Sequence, residues 1–265
     1  MRFISYIRLW LACVRYSVVR TMMFRFDFLM WSLVEFFWMG INIAVVLVIY
    51  GHTDSVAGWS KYEMMLLVGT SMLLQRLMMG LFWSNIFELG RNIRLGNFDF
   101  ILAQPGNVLF MVSTRKLDLD SLANVLIAAV IIIYAALQLH IALTFGHVLA
   151  YLVLLVCGLA INYSIILIAI SLTFWIINSE GVEGSYFALS DFSRIPRAAF
   201  NRLALEVVFV YAMPVVIVSN IPASTLLRGP ELVPMLWLVL VATAWFSLAV
   251  FIFNRGLRRY ASASS

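Results

Sequence analysis

Catalysis needs a nucleophile, a base or a bound metal within mutual reach, and this 265-residue chain has few candidates. None of its three histidines, His52, His140 and His147, stands in the H-E-x-x-H spacing that puts two zinc ligands and a carboxylate base on one helix face. The two cysteines, Cys13 and Cys157, are far apart in apolar surroundings and read as small hydrophobes, with no metal or disulfide spacing. A P-loop requires a glycine-bounded turn followed by a lysine at the phosphates, and neither Lys61 nor Lys116 has that setting. The expectation is a chain without enzyme activity, cofactor or resident metal. Two groups of polar residues still call for an explanation. One is a set of ionisable side chains inside apolar runs, Glu35, Arg76 and Glu206. The other is the stretch ELGRNIRLGNFDFILAQP, Glu88 to Pro105, which holds both charge signs, two glycines and an apolar cluster.

The elements that carry these residues follow from composition. Hydrophobic residues make up 63% and charged residues only 12%, where a soluble domain has about 45–50% and about 25%. The reading is an all-α integral membrane protein forming one domain over 1–265. Six segments have the length of membrane helices, about 20 residues for a hydrocarbon core of about 30 Å. They fall near 28–50, 64–83, 119–139, 148–177, 203–219 and 232–253. The fourth is long enough to tilt or kink, and Pro214 is expected to kink or end the fifth.

Lys and Arg are retained on the cytoplasmic side of short loops. Arg2, Arg8, Arg15, Arg20 and Arg25 precede the first span, and Arg91, Arg94, Arg115 and Lys116 follow the second. Arg194, Arg197 and Arg202 follow the fourth, and Arg255, Arg258 and Arg259 follow the sixth. Only Lys61 and Arg228 fall on the other side, so both termini are placed in the cytoplasm. The net charge of +5 then reflects topology and anionic lipid, and no nucleic-acid partner is called for. Within 1–27, arginines recur on one helical side while Ile4, Ile7, Trp10 and Leu11 face the other, which predicts an amphipathic helix in the inner interface. The arginines also interrupt any signal-peptide core, so no cleavage is expected.

A charge at the centre of a span costs about 2.5–3.5 kcal/mol on translocon scales, so each such residue should face protein, water or a partner. With a rise of about 1.5 Å per residue, Glu35 and Arg76 both lie roughly 10–12 Å from the inner surface. Three readings are open for them: a clamp between the first two spans, an Arg76 that snorkels to the headgroups, or a contact to cargo. Glu206 reads as interfacial, near Arg202. In the cytoplasmic stretch, Glu88, Arg91 and Arg94 recur along one helical face, with Ile86, Leu89 and Ile93 turned away from it. Gly96 permits a tight reversal, and Pro105 excludes regular helix at its position. The expectation is an amphipathic helix lying on the inner membrane surface.

The run I-R-L-G-N-F-D-F-I-L-A-Q-P after the second span resembles a hallmark of the type-2 ATP-binding-cassette permeases, six-span bacterial membrane subunits. The resemblance extends to the basic N-terminal helix, the six spans, the run I-P-A-S-T-L-L at Ile221 to Leu227 and the basic tail. It implies a half-transporter in the bacterial cytoplasmic (inner) membrane, expected to export. Two permease chains, identical or sister subunits, would enclose the pathway, and separate cytoplasmic ABC ATPase subunits would hydrolyse ATP. The 86–105 loop would be the coupling helix, with Glu88, Arg91, Arg94, Gly96, Asp99 and Pro105 as its coupling residues. Two rival readings are a stand-alone secondary transporter or channel and a non-transporting membrane scaffold that holds a soluble partner by the same loop.

Overall fold

The computed structural model describes residues 3–176, 181–200 and 202–263. Arg2 of the expected interfacial helix and the inner end of the fourth expected span, at 177, lie outside the described residues. Among the described residues the protein is helical throughout, with one isolated bridge between Val56 and Trp59 as its only extended pairing.

Helix α1 (Phe3–Met23) ends at Phe24, whose φ of −111° and ψ of 46° break the helix before α2 (Arg25–Tyr50). Leu33, Phe37, Ile41 and Val48 of α2 are exposed, as expected for a helix solvated by lipid. The Glu63 carboxylate accepts the Ser60 N–H at 2.7 Å and starts α3 (Lys61–Met78), satisfying a backbone donor that the first helical turn leaves open. A π-helical turn over Met79–Trp83 joins α3 to α4 (Ser84–Arg94). These pieces form one continuous helix, Lys61–Arg94, of 34 residues. At about 1.5 Å per residue it is roughly 50 Å long, well beyond a hydrocarbon core of about 30 Å.

The second expected span and the expected surface helix are therefore one element. Nothing between Trp83 and Arg94 stops a helix, and the first effective breaker is Gly96, whose φ is +70°. Two short helices follow, α5 (Asp99–Leu102) and α6 (Val108–Ser113), the latter capped by the Asn107 side chain accepting the Phe110 N–H at 3.1 Å. Helix α1 is tied to this region by hydrogen bonds. The Asn107 N–H donates to the Tyr6 hydroxyl at 2.9 Å, and the Leu117 N–H donates to the buried Ser17 hydroxyl at 3.0 Å.

Helices α7 (Leu119–Gln138) and α8 (Phe145–Ser171) pack on the central α3. Close approach depends on small residues: a Cβ on Gly69 would stand 3.0 Å from the Ile132 side chain of α7. Next come α9 (Val182–Asp191), α10 (Leu203–Glu206) with a π-helical stretch Val207–Ala212, α11 (Ile217–Arg228) and α12 (Leu232–Ala263). Among the described residues five helices are long and apolar enough to cross a membrane, and the bent pair Leu203–Ala212 with Ile217–Arg228 raises the number to six if it counts as one.

The fifth expected span, 203–219, is not a single helix. Its two pieces meet at 89°, and the break contains Pro214, which has no N–H to continue a helix. The segment before it packs against the bundle. Helix α9 stacks Tyr186 and Phe187 on Trp83. From there the chain climbs along α3 to Ser193, whose hydroxyl is 2.5 Å from that of Ser71, twelve residues nearer the Lys61 end. The Ser219 hydroxyl donates to the Ser193 carbonyl, and Asn220 bonds the backbone of Ile195 and Arg197. Arg194 thus lies against the interior of the bundle, held by Gln75 and Asn42.

Candidate functional site

Arg76 and Glu35 form an ion pair, Nη1 to Oε1 at 2.7 Å, with side chains 4% and 9% exposed. The carboxylate is fully engaged by α7. Ser121 Oγ donates to Oε1 at 2.9 Å and Asn124 Nδ2 donates to Oε2 at 3.0 Å. Burying two charges is costly, and the cost is offset only where the remaining lone pairs are also satisfied. Here α2 supplies the acid, α3 the base and α7 the two further donors, so three helices are tied at one point. Ser121 and Asn124 escape a reading of charge alone, because polar residues near the start of an apolar span look ordinary.

The polar interior continues next to this pair. Gln75 Oε1 accepts from Arg194 Nη2 at 2.9 Å, Asn42 Oδ1 accepts from Arg194 Nη1, and Asp191 pairs with Arg194 at 3.2 Å. Glu206 pairs with Arg197 at 3.0 Å, and its N–H donates to the Arg202 carbonyl at 3.0 Å.

A cavity of about 750 Å³ opens beside the Arg76–Glu35 pair, between α2 and α9 and backed by α3. Trp31, Trp38, Trp83 and Phe187 contribute aromatic walls. Its titratable lining is unbalanced: Asp27, Glu35, Asp118, Asp120, Glu183 and Asp191 against Arg20 and Arg76. Asp118, just ahead of α7, has its carboxyl pushed above the ordinary aspartate range. Burial is the main cause and the neighbouring Asp120 adds to it, while the Ser84 hydroxyl, Arg20 and Lys116 act the other way.

The loop stretch occupies the Arg94 end of the central helix. Glu88 is turned inward, with Lys116 Nζ at 2.8 Å and Arg91 at 3.8 Å. Asn85 holds the same backbone, donating to the Lys116 carbonyl at 2.8 Å and accepting its N–H at 2.9 Å. Arg91, Arg94, Gly96, Asp99 and Pro105 are exposed, and with them Leu95 and Phe100, 64% and 74% exposed.

Phe98 anchors this tip. It is fully buried and meets the rings of Phe174 and Tyr260 at 5.8 and 5.2 Å, edge to face. The loop between Arg94 and Asp99 is therefore a fixed knob, with two apolar side chains framed by Arg91, Arg94 and Asp99. Leu95, Phe98 and Phe100 carry it as much as the charges do.

Residues 36–264 match the model of a family described as ABC-2 family transporter protein. No curated protein matches the chain, and no solved structure does.

Proposed function

The chain belongs to the ABC-2 transporter family, which makes it a membrane-embedded permease subunit of an ABC transporter, and we propose that it works as one half of a dimeric exporter driven by separate cytoplasmic ATPase subunits. In this reading the bacterial cytoplasmic membrane holds the bundle with the arginine-rich ends of its helices inside. The second permease chain is a second copy or a sister subunit.

One observation carries the docking part of the proposal. The exposed knob at Arg91, Arg94, Leu95 and Phe100 ends a helix that runs without interruption to the buried Arg76. An ATPase gripping the knob would push or pull on a rod rather than on a loose connector. The rod has one compliant place, the π-helical turn Met79–Trp83, and Met79 and Trp83 border the cavity. Movement at the ATPase would thereby reach the cavity wall. Glu88 has a supporting role, since it joins the knob to Lys116 and the start of α7.

The fifth crossing is composite in this proposal. Helix α9 rises through the inner half beside Trp83, and α11 leaves through the outer half, where Gly229 lies near His147. Arg194, Arg197 and Arg202 then drop out of the cytoplasmic charge count, and the remaining Lys and Arg still favour the same orientation.

The test is copurification. Arg91→Glu with Arg94→Glu should reverse the charge of the knob and weaken ATPase association at least tenfold, while expression and membrane insertion stay at the wild-type level. Solvated surface substitutions change stability by less than about 0.5 kcal/mol, so a stable protein that no longer copurifies identifies a docking surface. Unchanged copurification together with unchanged ATP-dependent transport would reduce the knob to a connector.

A further inference from the structure

The cavity between α2 and α9 has a chemical character that the pathway reading leaves unassigned. Resting on the permease reading above, we infer that it is a binding site for an amphiphilic organic cation: a protonated amine or quaternary nitrogen on an apolar body that also carries a carbonyl oxygen.

Three independent features define that ligand. The first is charge. Asp27, Asp120 and Glu183 line the cavity and make no ion pair among the described residues, and Asp118 has only Arg20, at 3.8 Å. Carboxylates facing one shared space repel one another, and a cation placed among them relieves that repulsion. The second is the aromatic wall. Trp83 and Phe187 stack at 4.9 Å on one side, and Trp31 and Trp38 stand on the α2 side. Aromatic faces beside carboxylates attract a diffuse organic cation and hold its apolar body, a combination that a small, strongly hydrated metal ion does not need.

The third is Arg76. Its side chain is only 4% exposed, and it borders the cavity. Nη1 is taken by Glu35, with Met79 Sδ at 3.9 Å. Nε, itself buried, meets no acceptor among the described residues. A buried guanidinium N–H left open is costly and is satisfied by an oxygen acceptor. Because Glu35 already balances the charge of Arg76, a neutral carbonyl oxygen suffices there. The cationic end belongs with Asp27, eight residues before Glu35 on α2 and so about 12 Å away along the helix.

The probe is rhodamine 6G, a cationic xanthene with an ester carbonyl, compared with fluorescein, a xanthene of opposite charge. Binding is read as fluorescence anisotropy on the purified chain in phosphatidylcholine nanodiscs, with empty nanodiscs subtracted. The expected result is saturable binding of rhodamine 6G at least tenfold tighter than that of fluorescein, and a loss of at least tenfold in Asp27→Asn with Glu183→Gln. Both substitutions keep side-chain shape at exposed positions, and melting temperature checks folding. Asp120→Asn with Glu183→Gln serves the same purpose if the first pair folds poorly. Equal affinity for the two dyes, no saturable binding, or a loss below tenfold in a folded variant overturns the inference. The assay contains no ATPase, so failed binding alongside intact ATPase copurification removes this ligand class alone. Intact binding with failed copurification removes the docking proposal alone.

Discussion

Glu35 illustrates how little of an ion pair's value lies in the two charges. Its carboxylate accepts from Arg76, Ser121 and Asn124 at once, so removing one partner strands groups on three helices. Deleting one member of a buried pair typically costs about 3–5 kcal/mol, because the remaining charge is left uncompensated. Glu35→Leu and Arg76→Met should each be strongly destabilising. Combined, they should cost less than the sum of the two, with a coupling of about 0.5–3 kcal/mol. Unfolding of the four proteins in detergent measures the cycle. Strict additivity would mean that Arg76 draws its stability from elsewhere and that the contact is incidental.

At the scale of elements, the bundle depends on a few places where backbones come close. A Cβ on Gly158 of α8 would stand 2.8 Å from the Val218 carbonyl of α11 and 3.3 Å from the Leu74 side chain. Because the first of these is backbone, relief requires α11 to move. Gly40 of α2 is the contrasting case, with open space around the same imaginary atom. Gly158→Ala should therefore destabilise by about 1–3 kcal/mol through overpacking, whereas Gly40→Ala should be neutral or slightly stabilising, since alanine is the better helix former. Melting temperatures of the two variants in one detergent decide the matter, and equal values would show that the α8–α11 contact is slack. The same close contact positions α11, and with it Ser219 and Asn220, which hold the Ser193–Arg197 segment in place.

For the molecule as a whole, the charge asymmetry and the broken fifth crossing make a joint prediction about accessibility. A cysteine at Asn97 should react with a membrane-impermeant reagent only from the cytoplasmic side, and cysteines at Ser55 and Gly229 only from the opposite side. Ser193 separates the composite crossing from a cytoplasmic loop. It is 6% exposed and bonded to Ser71, so a cysteine there should be labelled from neither side. Fast labelling of that position from the cytoplasm would return 192–202 to a loop. Labelling of Asn97 from outside would invert the whole arrangement.

The environment, the helical class and the family were legible in the chain itself, because each is a sum over many residues. Apolar runs report the membrane, and the Ile93 to Pro105 pattern together with the spacing of the runs carried the resemblance that the family match now shows. That Glu35 and Arg76 could meet was legible too, since rise per residue is a local property. Tertiary structure alone decided what depends on partners distant along the chain. Arg194 reads as one more loop arginine until Gln75 and Asn42 are seen to accept its hydrogen bonds, across 119 and 152 residues. Ser193 finds Ser71 across 122. Glu88 turns inward because Lys116 and the backbone around it stand beside α4, a consequence of how α7 packs against the central helix. The cavity is the clearest case, since its carboxylates come from α2, α7 and α9 and the approach to α7. Hydropathy and helical period constrain one element at a time, whereas a site is made by packing several, and the energy of that packing appears only once they meet.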